Sequence, residues 1–355
     1  MLLMLKGSRV SKRRGFDKII GQNLAKRVLI KAVREANPSH AYLFLGLQGI
    51  GKATTAREFA KALNCENPRD GNACGECALC HIMEHSNSTD VRVWSPDGQN
   101  TKIEQMREMI DLAKFKPMRG KWKVNIIEQA DTLNEESANC ILKLLEEPPD
   151  YVINILVFRN AANILPTIRS RCQMVRFTQV NSEELVDRLL EDFSAGDEEA
   201  RFLTAYSQGC PGRAIEMIGN EKFFKKRNVI IDIAADVSKK KLWHALKLAD
   251  LLRSFEDKSE DEQGKKKVSR DTLMETLDIL LIWYRDLLAA KLQGENAAVV
   301  NVDKLEDIAI QAAAYAHAGR LFNAVDLILY TKRGIQGNAN KQMATEALMM
   351  RLAAG

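Results

Sequence analysis

The sequence predicts an α/β fold followed by an all-α region, and three observations predict it. Short apolar runs alternate with amphipathic stretches through the first 180 residues, the pattern of βα units around a parallel sheet. A glycine-rich segment ending in lysine follows the first apolar run and opens a helical stretch. Beyond about residue 180 the strand signals fade and helix-forming residues dominate. With 355 residues and 46% hydrophobic content, the chain has material for two or three domains with packed cores.

Candidate strands are 41–46, 91–95, 123–128, 152–158 and 173–177, with helices between them. In the helix "NEESANCILKLLEE" (134–147), Ala138, Ile141, Leu142 and Leu145 form one apolar face, and Thr132 with Glu135 has the spacing of a capping box. Pro148 and Pro149 end it, because proline lacks the donor a helix needs and restricts the residue before it. From "SEELVDRLLEDF" (182–193) short helices run to about 254. "FEDKSEDEQGKKKVSR" (255–270) has almost no apolar content and reads as a solvated linker, in which Lys265, Lys266 and Lys267 are more simply solvated than bound to nucleic acid. The remainder is amphipathic at helical spacing. In "LIWYRDLLAAKL" (281–292), Trp283 and Tyr284 among aliphatics read as core. The expected domains are therefore 1–180, 181–254 and 255–355.

The net charge of +5 comes from 52 basic residues interleaved with 47 acidic ones, which permits nucleic-acid contact without arguing for it. The start, "MLLMLKGSRVSKRRGF", places its apolar run before the basic residues, the reverse of a secretory signal. No stretch approaches the roughly 20 apolar residues that span a bilayer. These features predict a cytoplasmic chain without a membrane partner, whose seven cysteines are mostly reduced.

Gly46, Gly49, Gly51 and Lys52 have the spacing of a P-loop, between a predicted strand and a predicted helix. Such glycines let backbone N–H groups curl around phosphate oxygens, while the helix N-terminus and the lysine add favourable charge. In working P-loop enzymes a Ser or Thr after the lysine holds Mg²⁺. Here Ala53 stands in that place, and Thr54 lies about 100° further round the helix. The strand "VNIIEQAD" (124–131) repeats the loss. Where a metal-binding acid and a base are expected, it has Glu128 and Gln129, and an amide accepts no proton at neutral pH. Asp131 is the candidate for a displaced acid. ATP or ADP binding stays open, because the glycines and Lys52 persist.

Cys65, Cys74, Cys77 and Cys80 are spaced C-x8-C-x2-C-x2-C on glycine-containing turns. Four sulfurs make the closed tetrahedral set of a structural zinc site, here within a loop inserted after the P-loop helix. The alternative ligand set is three cysteines with His81 or His85. Cys140, Cys172 and Cys210 are scattered, and Cys140 sits on a helix face as a small hydrophobe would. In "LPTIRSRCQ" (165–173), Arg171 follows Ser170 and precedes Cys172. Taken alone, that arginine is expected to pair with a carboxylate of its own domain.

Together these pieces resemble the delta-prime subunits of the bacterial DNA polymerase III clamp loader, members of the AAA+ superfamily. The resemblance runs from "FDKIIGQNLAKRVL" (16–29) through "HAYLFLGLQGIGK" (40–52), the cysteines, "LEEPP" (145–149) and "LPTIRSRCQ" to "GCPGRA" (209–214). It implies an AAA+ core with a zinc knuckle, a helical lid and a C-terminal helical collar by which five subunits assemble. The implied partners are the gamma/tau motor subunits and the delta subunit, with the sliding clamp and primer-template DNA reached through the complex, in the cytoplasmic replisome. It further implies a stator that hydrolyses no ATP itself and presents Arg171, shaped by Ser170 and Cys172, to the neighbour's ATP site. Gly212 falls where an active subunit carries its lid arginine, with Arg213 one step off, and Asn160 is the best candidate for the residue sensing the γ-phosphate. The competing readings are an active gamma/tau-like ATPase and a stand-alone zinc-dependent DNA-binding protein. The second is weakened by the absence of a basic helix with interleaved aromatics.

Overall fold

The computed structural model describes residues 13–84, 88–96, 101–237, 242–254 and 270–354. His85 and the stretch 255–269, with Lys265, Lys266 and Lys267, lie outside the described residues. The predicted strands form one parallel sheet in the order β2-β3-β4-β1-β5: β1 (Ala41–Leu45), β2 (Val91–Trp94), β3 (Lys123–Ile127), β4 (Val152–Phe158) and β5 (Gln173–Arg176). All seven residues of β4 are buried, as a central strand covered on both faces requires.

Side chains alternate along β1, so its two faces serve different cores. Tyr42 and Phe44 join Phe16, Leu29, Phe59 and Ile155 on the side of α1 (Asn23–Arg34) and α2 (Lys52–Leu63). After α3 (Ala78–Glu84), the opposite core places Ala41 and Leu43 with residues of α4 (Ile103–Ala113), α5 (Glu135–Glu146) and α6 (Pro166–Arg169), among them Met106, Ile141 and Ile168. The start of α5 departs from expectation. Its N-cap is Asn134, whose Oδ1 accepts from the N–H of Ser137 at 2.8 Å, whereas Thr132 bonds to the hydroxyl of Thr101 at 2.9 Å. A 3-10 turn over Ala130–Thr132 delays the helix and takes Thr132 out of capping position.

The chain divides into two compact units. The first holds the sheet and the described residues up to Ala200, together with Ser207–Glu216; the second holds Arg201–Tyr206 and the residues from Met217 onward. The remaining helices are α7 (Ser182–Phe193), α8 (Asp197–Tyr206), α9 (Pro211–Met217), α10 (Glu221–Val237), α11 (Leu242–Ser254), α12 (Arg270–Gln293), α13 (Leu305–Ala314), α14 (Ala318–Gln336) and α15 (Lys341–Ala354). In the second unit α12 packs against α10, α13 and α14. Trp283 and Tyr284 are buried there, and the indole N–H of Trp283 donates to Gln311 at 3.1 Å. Arg227 is buried too, bonded to Asn301 and Asp303, with its guanidinium 4.1 Å from the centre of the Phe202 ring. Among the described residues no helix is long and apolar enough to cross a membrane.

β1 ends beside Phe177, the residue after its parallel neighbour β5. The amide of Phe177 donates to Leu45 O at 2.8 Å, and a Cβ on Gly46 would lie 2.6 Å from Phe177 O. Only glycine lets the chain leave β1 at this point and enter the phosphate loop. Gly46→Ala is therefore expected to lower unfolding free energy by about 1–3 kcal/mol, the cost of overpacking. Denaturant melts measure it, and an unchanged midpoint contradicts the close contact.

Candidate functional site

The loop after β1 curls as a phosphate cradle must. Gly49 and Gly51 take φ of 77° and 102°, a region that L side chains rarely enter. The loop is closed from outside by the start of α9, where the amide of Gly212 donates to Gly49 O at 2.7 Å. A Cβ on Gly212 would lie 2.9 Å from that same oxygen, so backbone contact with the cradle occupies the position.

Lys52 opens α2 and is only 5% exposed. Its ammonium donates to Gly46 O and Leu47 O, both at 2.6 Å. Burial pushes its pKa down to about 8; the Asp131 carboxylate opposes this shift and the Arg159 guanidinium adds to it. In front of Lys52 lies a cleft of 270 Å³, lined among others by Ala53, Thr54, Glu128, Gln129 and Arg159, with Glu216 on its rim. That volume is just below the range of about 300–1,000 Å³ usual for small-molecule pockets.

No oxygen comes from the side chain at 53, and the neighbouring acids are engaged elsewhere. Glu128 Oε1 accepts from Arg57 Nη2 at 2.6 Å, and its Oε2 from the Ser95 hydroxyl at 3.1 Å. Gln129 has a left-handed backbone (φ 50°) and leads the 3-10 turn. Asp131 accepts from the amides of Arg159 at 2.8 Å and Asn160 at 3.2 Å, which fastens the turn after β4. Asn160 itself caps the next short helix, its Oδ1 accepting from the amide of Ala162 at 3.0 Å. The side chain that lines the cleft from this turn is Arg159.

Arg159 and Arg57 were missed from sequence, although both carry a signal. Arg159 directly follows the last residue of β4, at the carboxyl end of a parallel strand, where the residues of such sheets meet ligands. Arg57 is one helical turn on from Ala53, on the same face of α2.

The four cysteine sulfurs all lie within 4.8 Å of one another. Cys65, Cys74 and Cys80 are buried and Cys77 partly so. Cys80 Sγ is 3.8 Å from that of Cys65 and 3.9 Å from that of Cys74. A tetrahedron with metal–sulfur bonds of about 2.3 Å has edges of about 3.8 Å, which the two Cys80 distances match, so the donor set suits one ion. Backbone amides already point at the sulfurs: Cys74 N–H donates to Cys65 Sγ at 3.2 Å, Cys77 N–H to Cys74 Sγ at 3.3 Å and Cys80 N–H to Cys77 Sγ at 3.4 Å. The N–H of Glu76, foremost among such donors, draws the Cys74 thiol down to about 6, against the upward push of burial. His81 is exposed on α3 and outside this group.

Arg171 follows α6 and is one-third exposed. Its guanidinium meets Glu146 Oε1 at 2.7 Å and donates to Thr167 O at 3.0 Å and to the Ser170 hydroxyl at 3.2 Å. Cys172 packs against the core behind it, where burial raises its thiol pKa to about 12.

A family model described as DNA polymerase III, delta subunit, matches residues 21–181. The DNA polymerase III subunit delta' of Bacillus subtilis is 28% identical over 332 residues, which cover 93% of this chain and 95% of that protein. The chain is similar to subunits of DNA polymerase III. The tau subunit of B. subtilis is 26% identical over 335 residues, 90% of this chain but 58% of tau. That of Escherichia coli is 33% identical over 174 residues, 49% of this chain and 27% of tau. The chain thus spans 58% and 27% of these two tau proteins. A solved gamma subunit-related protein of Thermotoga maritima aligns with a TM-score of 0.45 at 17% identity, covering 92% of this chain and 98% of that one.

Because Lys52 is buried, its proton should leave early. Between pH 8 and the ordinary lysine value of about 10.4 the unfolded chain holds a proton that the folded chain has lost. This lysine's contribution to stability therefore rises with pH across that window. Carbon-13 reductive methylation, with Lys52→Ala identifying the resonance, should show titration near pH 8; a midpoint above 10 contradicts the buried cradle.

Proposed function

We propose that this chain is a stator subunit of the clamp loader: it helps load the sliding clamp on DNA and supplies Arg171 to a neighbour's ATP site while hydrolysing no ATP of its own. The observation that carries the reading is the donor set around Lys52. A motor needs a hydroxyl and a carboxylate for Mg²⁺ and a base for the attacking water. Here Ala53 offers no oxygen, Glu128 is held by Arg57 at 2.6 Å, and Gln129 cannot take a proton. Identities of 28% to delta' and 26% to tau do not separate the two roles, so the choice rests on this chemistry.

The pairing of Arg171 with Glu146 is compatible with a role in trans. Their side chains are 34% and 48% exposed, and an ion pair so exposed is worth only about 0–1 kcal/mol. A γ-phosphate, with more charge and three acceptor oxygens, is the stronger partner for a guanidinium. The turn is firm enough to aim it, because Ser170 bonds to Thr167 O at 3.1 Å and the partly buried Cys172 packs against the core.

In this reading the cysteine cluster holds one structural zinc, which would tie the loop between α2 and α3 to the sheet's core. With every coordination position filled by sulfur, the metal takes no part in chemistry. The helices from 181 to 254 serve as the lid, and those after 270 as the collar joining gamma/tau and delta subunits, with DNA and clamp reached through the assembly.

Two measurements test the proposal. In a reconstituted complex whose only intact ATP site faces this chain, Arg171→Ala is expected to lower single-turnover hydrolysis by a factor on the order of 10³. Unchanged hydrolysis removes the trans role. Metal analysis of the purified chain should find one zinc per molecule and far less in Cys65→Ser; equal content in the two disposes of the four-sulfur site.

A further inference from the structure

Among the described residues Arg171 meets acceptors of two kinds. Nη1 donates to Thr167 O at 3.0 Å and to the Ser170 hydroxyl at 3.2 Å, both neutral and both within its own turn. Nη2 meets a charge from another helix, Glu146 Oε1 at 2.7 Å. Glu146 is the last residue of α5, and Glu147 follows it. The carbonyl end of a helix disfavours negative charge, so neither acid supports the helix that carries it. Lys143 precedes Glu146 at a spacing that suits an ion pair, yet it makes none among the described residues. Glu146 reaches past it to Arg171.

We infer that Glu146 is a positioning residue that latches Arg171 to its own domain, and so sets how much ATP the neighbouring subunit needs before the arginine transfers to it. The inference rests on the reading above that Arg171 serves a neighbour's ATP site. There a γ-phosphate competes with Glu146 for Nη2, and a carboxylate left facing that phosphate repels it. Opening the latch therefore weakens the neighbour's hold on ATP. With side chains 34% and 48% exposed the effect is small, a factor of about two to five. Once the phosphate has taken the guanidinium, the latch is open in the bound complex and in the transition state alike. It then alters apparent affinity and leaves the chemical step unchanged. The bonds to Thr167 O and the Ser170 hydroxyl need not break, and they keep the side chain aimed.

The test is the ATP dependence of single-turnover hydrolysis in the reconstituted complex whose only intact ATP site faces this chain, carrying Glu146→Gln, Arg171→Ala or both. Glu146→Gln keeps the size of the side chain and removes a charge that the end of α5 disfavours, so thermal melts should show it folded. It is expected to lower the half-saturating ATP concentration about two- to fivefold and to leave the rate at saturating ATP unchanged. In the Arg171→Ala background it should change neither, because the latch acts only through that arginine. An unchanged or raised half-saturating concentration overturns the inference. So does a lower rate at saturation, the mark of an orienting or merely structural role, or a shift that survives in the Arg171→Ala background. Slower hydrolysis in Arg171→Ala beside an unmoved ATP dependence in Glu146→Gln removes the latch and leaves the trans role standing; an inert Arg171→Ala removes both.

Discussion

A buried ammonium group must find oxygen, and Lys52 finds it in its own loop, 2.6 Å from the carbonyls of Gly46 and Leu47. That contact closes the cradle on itself. Gly46 can lead into it because, without a Cβ, it tolerates the backbone of Phe177 just past β5, and Gly212 can seal it because glycine again permits backbone to touch backbone. The cradle is thus part of the packing of the first unit. Its architecture rests on contacts within the chain, so an alanine at position 53 need not disturb the fold.

Around that loop the charges are sorted in a way that suits binding and assembly better than hydrolysis. Lys52 and Arg159 line the cleft beside Glu128 and the exposed Glu216, and Glu128 is tied to Arg57 while nearby Asp131 is tied to backbone amides. On the opposite core, the end of α5 and the turn after α6 bring Glu146 and Arg171 together at 2.7 Å on the surface. A cation held by so weak a pair is available to a stronger anion on another molecule. The cysteine cluster joins the core on the α2 side, since Cys65, Cys74 and Cys80 are buried with Phe59 and Leu63. A metal there would reinforce the helix that carries Lys52.

What could be read from sequence was mostly local. The five strands, the P-loop spacing and the C-x2-C pairs are patterns within a few residues of chain, and each has one sterically sensible outcome. The cap of α5 was misplaced because Thr132 has a distant partner, Thr101, that no local pattern reveals. Asp131 was taken for a candidate acid, yet its oxygens fasten the turn after β4, a contact across 28 residues. Asn160 and Arg159 were exchanged for the same reason: adjacent residues at a strand end point to different sides, and only the fold shows which one faces the cleft. Arg57 was the more legible omission, since helical spacing alone sets it below Ala53.

The most direct measurement is steady-state ATP hydrolysis by the purified chain alone, with saturating ATP and Mg²⁺. The structure predicts turnover indistinguishable from that of Lys52→Ala. Sustained, magnesium-dependent hydrolysis that Lys52→Ala abolishes would show a working motor and contradict the stator reading.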